Sequence, residues 1–163
     1  MYKIAKFQKV SPEQFQKDWE FGGNPYDEIR LPKRGTAGSA GYDFYSPLDF
    51  ELKPGEFIRI PTGIRAEMQD GWVLTIYPRS GQGFKYRVQL YNTVGVIDAD
   101  YFGADNEGHI QIKIVNANEE GKIISVKKGE AFAQGIFLPF GITVDDDASE
   151  IRTGGFGSTD GRN

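Results

Sequence analysis

The chain has no cysteine, so disulfides, thiolate metal centres and cysteine nucleophiles are excluded, and the absence fits a reducing compartment. It has one histidine, His109, in the polar stretch Asn106-Glu107-Gly108-His109. A Ser-His-Asp triad would have to use it, yet no nucleophile motif lies nearby, and the expectation is a satisfied surface histidine. Long apolar runs are missing as well. None approaches the roughly 18 to 20 residues of a membrane span, and Met1-Tyr2-Lys3-Ile4-Ala5-Lys6 lacks the apolar stretch of a secretion signal. No glycine-lysine-serine/threonine phosphate loop and no strand-linked dinucleotide fingerprint occurs, so a bound phosphate chain would need another kind of holder. Basic excess is also absent: a net charge of -4 argues against nucleic-acid binding through bulk field, although a local basic cluster can grip one phosphorylated small molecule. These absences predict a cytoplasmic protein whose partner is small, with neither a nucleic acid nor a membrane.

What is present begins with a core. At 163 residues and 39% apolar content, the chain reads as one domain able to bury a real interior. The first local pattern is helical. Ser11 is a capping residue, Pro12 suits the first helical position, Gln14 follows three residues after the cap, and Val10 and Phe15 form a flanking staple. Phe15 and Trp19 share a face, and Gly22-Gly23 is the expected stop. This short helix reads either as an embellishment packed on the domain or as a docking element.

From Ile29 onward the period becomes two. Phe57-Ile58-Arg59-Ile60, Ile110-Gln111-Ile112-Lys113-Ile114 and Phe132-Ala133-Gln134-Gly135-Ile136-Phe137-Leu138 alternate or run apolar. The turns between such runs are Lys53-Pro54-Gly55-Glu56, Gln69-Asp70-Gly71, Glu119-Glu120-Gly121 and Lys127-Lys128-Gly129-Glu130. Short strands between glycine turns predict an all-β sandwich or barrel. No internal repeat, heptad or low-complexity block appears, and the 21 glycines are spread across turns. The end differs. Residues 141–150 turn acidic, and three glycines around Phe156 cannot form a strand or helix unaided, which predicts a mobile arm. A terminus without a task fits the composition equally; Arg152 as an anion donor and Phe156 as a stacking surface argue for a working arm.

The residues with the fewest structural excuses lie between Tyr77 and Gly103. The apolar run Trp72-Val73-Leu74-Thr75-Ile76-Tyr77 is read as delivering Arg79-Ser80-Gly81 at a turn, and Val94-Gly95-Val96-Ile97 as delivering Asp98 and Tyr101 at another. Two such ends build one pocket on this reading. The acidic spacing Asp98, Asp100, Gly103 imitates a calcium loop at first. It then fails, because Phe102 takes a ligand position and His109 stands where a bidentate glutamate is needed. What remains is arginine and serine donors for a phosphate ester and a carboxylate able to orient or deprotonate a water. Asp98 as an ordinary turn aspartate stays open at this level.

Five segments then stand in the order found in trimeric deoxyuridine triphosphatases. They are Ala40-Gly41-Tyr42-Asp43-Phe44, Pro78-Arg79-Ser80-Gly81, Gly95-Val96-Ile97-Asp98-Ala99-Asp100-Tyr101-Phe102-Gly103, Gly129-Glu130-Ala131-Phe132-Ala133-Gln134 and Arg152-Thr153-Gly154-Gly155-Phe156-Gly157-Ser158-Thr159. The chain from about residue 29 to the end resembles that family. The resemblance implies a jelly-roll-like β-barrel or sandwich subunit in a homotrimer with shared sites. It implies hydrolysis of dUTP to dUMP and pyrophosphate, limiting uracil in DNA and supplying dUMP. Asp98 would position the water that attacks the α-phosphorus, Tyr101 would pack under the sugar where a 2′-hydroxyl would collide, and Asn92 would contact uracil. A small β-hairpin around Gly95, Val96 and Ile97 would mimic base pairing. Arg79, Ser80, Gly81 and Gln134 match phosphate-holding positions, while Arg152, Phe156, Gly157 and Ser158 match the closing arm. Magnesium would arrive as Mg2+ with the triphosphate, and Asp43 would have an indirect or structural part in its binding.

The implied boundaries are an N-terminal extension over 1–28, a β core over 29–141 and a C-terminal arm over 142–163. Three departures from the family pattern stand out. Asp160 replaces a common glycine, Arg152 lies four residues before Phe156 where many members have five, and 104–108 lengthens the turn after the third motif. The rival readings are a deoxycytidine triphosphate deaminase of the same fold and a non-catalytic nucleotide-sensing module. No residue is placed by a matching motif to work on a base's C4, and Asp98 disfavours loss of catalysis. The sequence carries no legible signature of a regulatory protein partner.

Overall fold

The computed structural model describes residues 1–155. Among them, twelve strands run in chain order as β1 (Ala5–Lys9), β2 (Lys33–Arg34), β3 (Tyr42–Tyr45), β4 (Phe50–Leu52), β5 (Phe57–Pro61), β6 (Ile64–Met68), β7 (Trp72–Tyr77), β8 (Val88–Leu90), β9 (Gly95–Ile97), β10 (Gln111–Asn116), β11 (Ile124–Val126) and β12 (Ala131–Pro139). Two short helices, α1 (Pro12–Asp18) and α2 (Ser80–Tyr86), and two 3-10 turns, Tyr26–Glu28 and Ala99–Gly103, complete the elements. The strands form a jelly-roll-like β sandwich. Its largest sheet has the order β2-β3-β12-β7-β9, facing a β5-β10-β8 sheet, with the pairs β1-β6 and β4-β11 alongside.

Alternation explains the core. In β10 the side chains of Ile112 and Ile114 are buried while Gln111, Lys113 and Val115 are only partly so, as the two-residue period of a strand demands. Ile60, Val88 and Leu90 extend that face, and Phe44, Leu74, Ile76, Phe132 and Ala133 oppose it from the larger sheet, giving one continuous interior. All four predicted turn glycines, Gly55, Gly71, Gly121 and Gly129, adopt positive φ at strand junctions.

The N-terminal segment is tied in. Its opening residues, unread as a strand from sequence, pair along β6 from Ala5↔Met68 to Lys9↔Ile64. The Ser11 hydroxyl accepts the Gln14 N–H at 3.1 Å, and Pro12 opens α1, as the cap pattern predicted. The helix stops earlier than Gly22-Gly23: Trp19 is already extended, with φ -78° and ψ 114°. Packing supplies the reason, since Phe15 and Trp19 stack at 5.1 Å and bury themselves with Val10, which fixes the chain before the glycines are reached. Burying one such side chain contributes about 1.5–3 kcal/mol.

His109 corrects the expectation of a surface residue. It is fully buried, with Nδ1 2.6 Å from Asp18 Oδ2 and Nε2 accepting the Gly63 N–H at 2.8 Å. An acceptor at Nε2 makes the ring neutral, with its proton on Nδ1. No local pattern signals this burial, because the partners lie 91 and 46 residues away. Burial pushes His109 below its ordinary value of 6.5, outweighing the Asp18 hydrogen bond and the charges of Asp18 and Glu107. Glu107 experiences an upward push from burial, but two hydrogen bonds from Ser11, with Arg65 and His109 behind them, hold it below 4.5.

Both groups have folded values below their unfolded ones, so the unfolded chain takes up protons first as pH falls. Stability is therefore expected to drop on acidification below about 6.5 through His109, with Glu107 adding a further loss at lower pH. Denaturant midpoints across this range should fall for the native chain and fall less between pH 7.5 and 5.5 for His109→Gln. Parallel curves would remove His109 as the source.

Candidate active site

The first cluster forms where β12 lies between two neighbours. Gln134 stands opposite Asp43 of β3 on one side and Tyr77 of β7 on the other. Its amide donates to the Pro78 carbonyl at 3.0 Å, and Arg79 Nε reaches Asp43 Oδ1 at 3.0 Å. Three of the sequence motifs thus meet in one recess of about 460 Å3, with Ser80, Gly81 and Lys85 on its wall. Gly41 belongs to the same contact, since a Cβ there would run into the Gln134 side-chain oxygen. The expected turn at Ser80 is instead the first turn of α2, whose axis carries Lys85 to the recess four residues after Gly81. Lys85 escaped the sequence reading because that helix was not foreseen.

A second cleft, of about 340 Å3, opens between the two sheets. Its wall is β9, an edge strand paired only with β7, so the backbone groups on the outward edge of Gly95–Ile97, those of alternate residues, lack a strand partner among the described residues. Asn92 stands at the rim, and Asp98, exposed, caps the 3-10 turn that carries Tyr101. The expected hairpin is reduced to a single Leu90↔Thr93 bridge, because β8 joins β10 and β9 joins β7. Splaying into two sheets leaves room between the strands. Leu90, Gln111 and Ile112 floor the cleft; of these the alternation of Ile110 to Ile114 pointed to Ile112 alone as an inward residue. Both volumes lie within the scale of small-molecule sites.

Tyr101 is buried, its hydroxyl donating to the His109 carbonyl and accepting from Asn106 Nδ2, each at 2.8 Å. Burial raises its pKa above 10.0, and the Asn106 hydrogen bond only partly offsets this. Arg152 closes one end of the cleft. Its Nη2 lies 2.5 Å from Asp98 Oδ2 and its Nε 2.8 Å from Asp100 Oδ1, while Gly155 lies directly against the Tyr101 ring. Asp100 is a partner that the sequence reading passed over. Phe156, Gly157 and Ser158 lie outside the described residues, as does Asp160.

The two clusters do not coincide. The strands β7 and β9 are antiparallel with Ile76↔Gly95 and Leu74↔Ile97, so Asp98 comes level with Val73. Arg79 is six residues further along, about 20 Å at strand rise. The expectation that Asp98 stands beside the Arg79 turn is therefore wrong for a single chain, and the antiparallel register is the reason. Another hollow, beside Ile29 and Tyr45, has its charges already used: Arg30 stacks on Tyr45 at 3.8 Å and Lys128 meets Glu28 at 2.6 Å.

A family model described as dUTPase matches residues 27–160. The chain belongs to the dUTPase family. It is 46% identical over 134 residues to the deoxyuridine 5'-triphosphate nucleotidohydrolase of Lactococcus lactis, an alignment covering 80% of this chain and 88% of that one. The crystal structure of dUTPase from Streptococcus mutans superposes with a TM-score of 0.64 at 34% identity, covering 86% of this chain and 98% of that chain. A mutant dUTPase from phage phi11 of S. aureus, described as coordinating a structural Mg(II) ion, shares the fold with a TM-score of 0.64 at 20% identity, covering 91% and 98%. No helix among the described residues is long and apolar enough to cross a membrane.

The Gly41 contact makes a specific demand on the first recess. Gly41→Ala should displace the Gln134 amide from Pro78 and lower kcat/KM for dUTP roughly 10- to 100-fold, the scale of a small misplacement of a positioning group. Steady-state assays beside a thermal melt check this; an unchanged kcat/KM would mean the recess tolerates the shift.

Proposed function

We propose that this dUTP diphosphatase hydrolyses dUTP to dUMP and pyrophosphate through a water aligned by Asp98 on the α-phosphorus, in sites that each combine two or more copies of the chain. The observation that carries the reading is the separation of Asp98 from Arg79. A carboxylate for the water and donors for the phosphates sit in different recesses of one subunit, so a neighbouring copy must bring the complementary half. A homotrimer supplies that with closed symmetry. The tail supports it: Ile142, Val144 and Ile151 are 73%, 107% and 89% exposed, apolar side chains that a second copy would cover.

In this reading the base lies along the edge of β9, whose backbone groups at Gly95, Val96 and Ile97 offer the alternating donors and acceptors a uracil edge requires. Asn92 adds a side-chain contact at the rim. The Tyr101 ring, held at its hydroxyl from two sides, lies under the sugar and leaves no room for a 2′-hydroxyl. Arg79, Ser80, Gly81 and Gln134 of a neighbouring copy hold the phosphates. Asp98 takes a proton from the attacking water as the bond to the pyrophosphate oxygen breaks. Arg152 exchanges its two carboxylates for phosphate oxygens when substrate enters, which frees Asp98 for the water, and Phe156, Gly157 and Ser158 follow as the lid.

No group of three or more carboxylate or histidine side chains among the described residues is arranged to hold a metal. Mg2+ fits as an ion bound chiefly through triphosphate oxygens, with Asp43 in an indirect role behind Arg79. Once bound it neutralises phosphate charge. The protein works in the cytoplasm on this reading.

Asp98→Asn should slow turnover by roughly 100-fold or more while nucleotide binding persists. Release of pyrophosphate without ammonia separates hydrolysis from a deaminase, and silence in both assays would favour a sensing module. Shared sites have their own test. Asp98→Asn and Arg79→Ala chains, each inactive alone, should recover about a quarter of native sites when reassembled in equal amounts, because one composite site in four draws both intact halves. No recovery from a properly reassembled oligomer would place both halves in one chain.

A further inference from the structure

The N-terminal segment contributes nothing to either cleft, yet it ends on the loop that carries Tyr101. Two contacts make the join. Asp18, at the end of α1, holds His109 Nδ1 at 2.6 Å, and Ser11, its N-cap, holds Glu107 through both its N–H (3.0 Å) and its hydroxyl (2.5 Å). The gripped stretch, Asn106 to His109, bears directly on Tyr101: Asn106 donates to its hydroxyl, and the His109 carbonyl accepts from it. Gly108 packs against the backbone at the same place. With φ at +70°, a Cβ there would meet the Tyr101 carbonyl oxygen at 2.5 Å and Phe102 Cα at 2.8 Å. Arg65 completes the arrangement from β6, the strand that pairs with β1, donating to the Phe102 carbonyl at 2.6 Å and stacking on the Phe102 ring.

We infer that Ser11 and Asp18 are positioning residues for sugar selection, acting through Glu107 and His109 to fix the depth of the Tyr101 ring in the cleft. The inference rests on the reading of Tyr101 as the floor under the sugar. The brace lies in residues before the start of the family match at 27. It is anchored independently of the site, by Phe15 and Val10 in their own buried cluster and by the β1 pairing. A floor held at both ends of its hydroxyl excludes an added 2′-oxygen by contact; a floor able to sink by a fraction of an ångström admits it. Loss of the brace therefore affects dUTP and UTP differently. A fold-wide weakening does not, because it lowers the active fraction for both substrates alike.

The test is the ratio of kcat/KM for dUTP to kcat/KM for UTP in the full chain, measured in the same preparation. Ser11→Ala combined with Asp18→Ala should lower that ratio by roughly tenfold or more, the scale set by misplacing a contact group. Asp18→Asn should keep the ratio near native, because the neutral His109 ring donates to an amide oxygen as well as to a carboxylate. Tyr101→Leu serves as the control on the underlying reading. If Tyr101→Leu leaves the ratio intact, the sugar-floor assignment fails and the brace has nothing to position. If Tyr101→Leu abolishes selectivity while the Ser11/Asp18 double variant retains the native ratio, even with a lowered melting temperature, the assignment stands and the positioning role is overturned.

Discussion

The antiparallel pairing of β7 with β9 governs how this molecule distributes its chemistry. The two strands carry the richest motifs, and their register sends the ends bearing Arg79 and Asp98 in opposite directions. A parallel pairing would have gathered both at one edge. Instead, one subunit holds two partial constellations: an anion-ready corner built around Gln134 and a cleft ending in a carboxylate. Each is built on paired strands, with Asp43 and Gln134 on β3 and β12 under the corner and β9 along the cleft, and their register leaves little freedom. The requirement for another copy thus follows, in the proposed mechanism, from hydrogen bonding inside the sheet.

Electrostatics divides in the same way. The corner pairs Arg79 with Asp43, and the cleft pairs Arg152 with Asp98 and Asp100. These contacts are partly exposed and contribute little to stability, of order 0–1 kcal/mol each. In the proposed mechanism their worth lies elsewhere: a cation parked on a carboxylate is oriented, and a polyphosphate takes it over. The polar network around His109 has the opposite character. His109 itself is sealed from solvent while its partners Asp18 and Glu107 are only partly buried, so removing the partner of the buried ring leaves an unsatisfied donor costing about 1–3 kcal/mol. The segment from Ser11 to Asp18 is accordingly part of the folded unit rather than an ornament, whatever its bearing on the substrate.

Local patterns carried much of the architecture. Alternation in Ile110 to Ile114, the turn glycines and the Ser11 cap with Pro12 behind it each express short-range sterics or hydrogen bonding, and each appears as read, whereas the Gln14 side chain turns to Asp18 and leaves the Ser11 N–H to Glu107. The early end of α1 did not follow from such rules, because aromatic stacking of Phe15 on Trp19 overrode the glycine stop. The α2 helix was hidden for a related reason: Ser80–Tyr86 has two glycines in seven residues, Gly81 and Gly83, and local propensity argues against a helix there.

By itself, the sequence determined the class of fold, the kinship and the set of candidate polar groups, since those depend on residue type and spacing along the chain. Tertiary structure alone decided which of those groups meet. It put Gln134 between Asp43 and Tyr77, parted Asp98 from Arg79, and sealed His109 beneath a helix 91 residues away. The reason is physical: strand order, register and the burial of one histidine are settled by contacts between distant segments, and no short window of sequence contains both sides of such a contact.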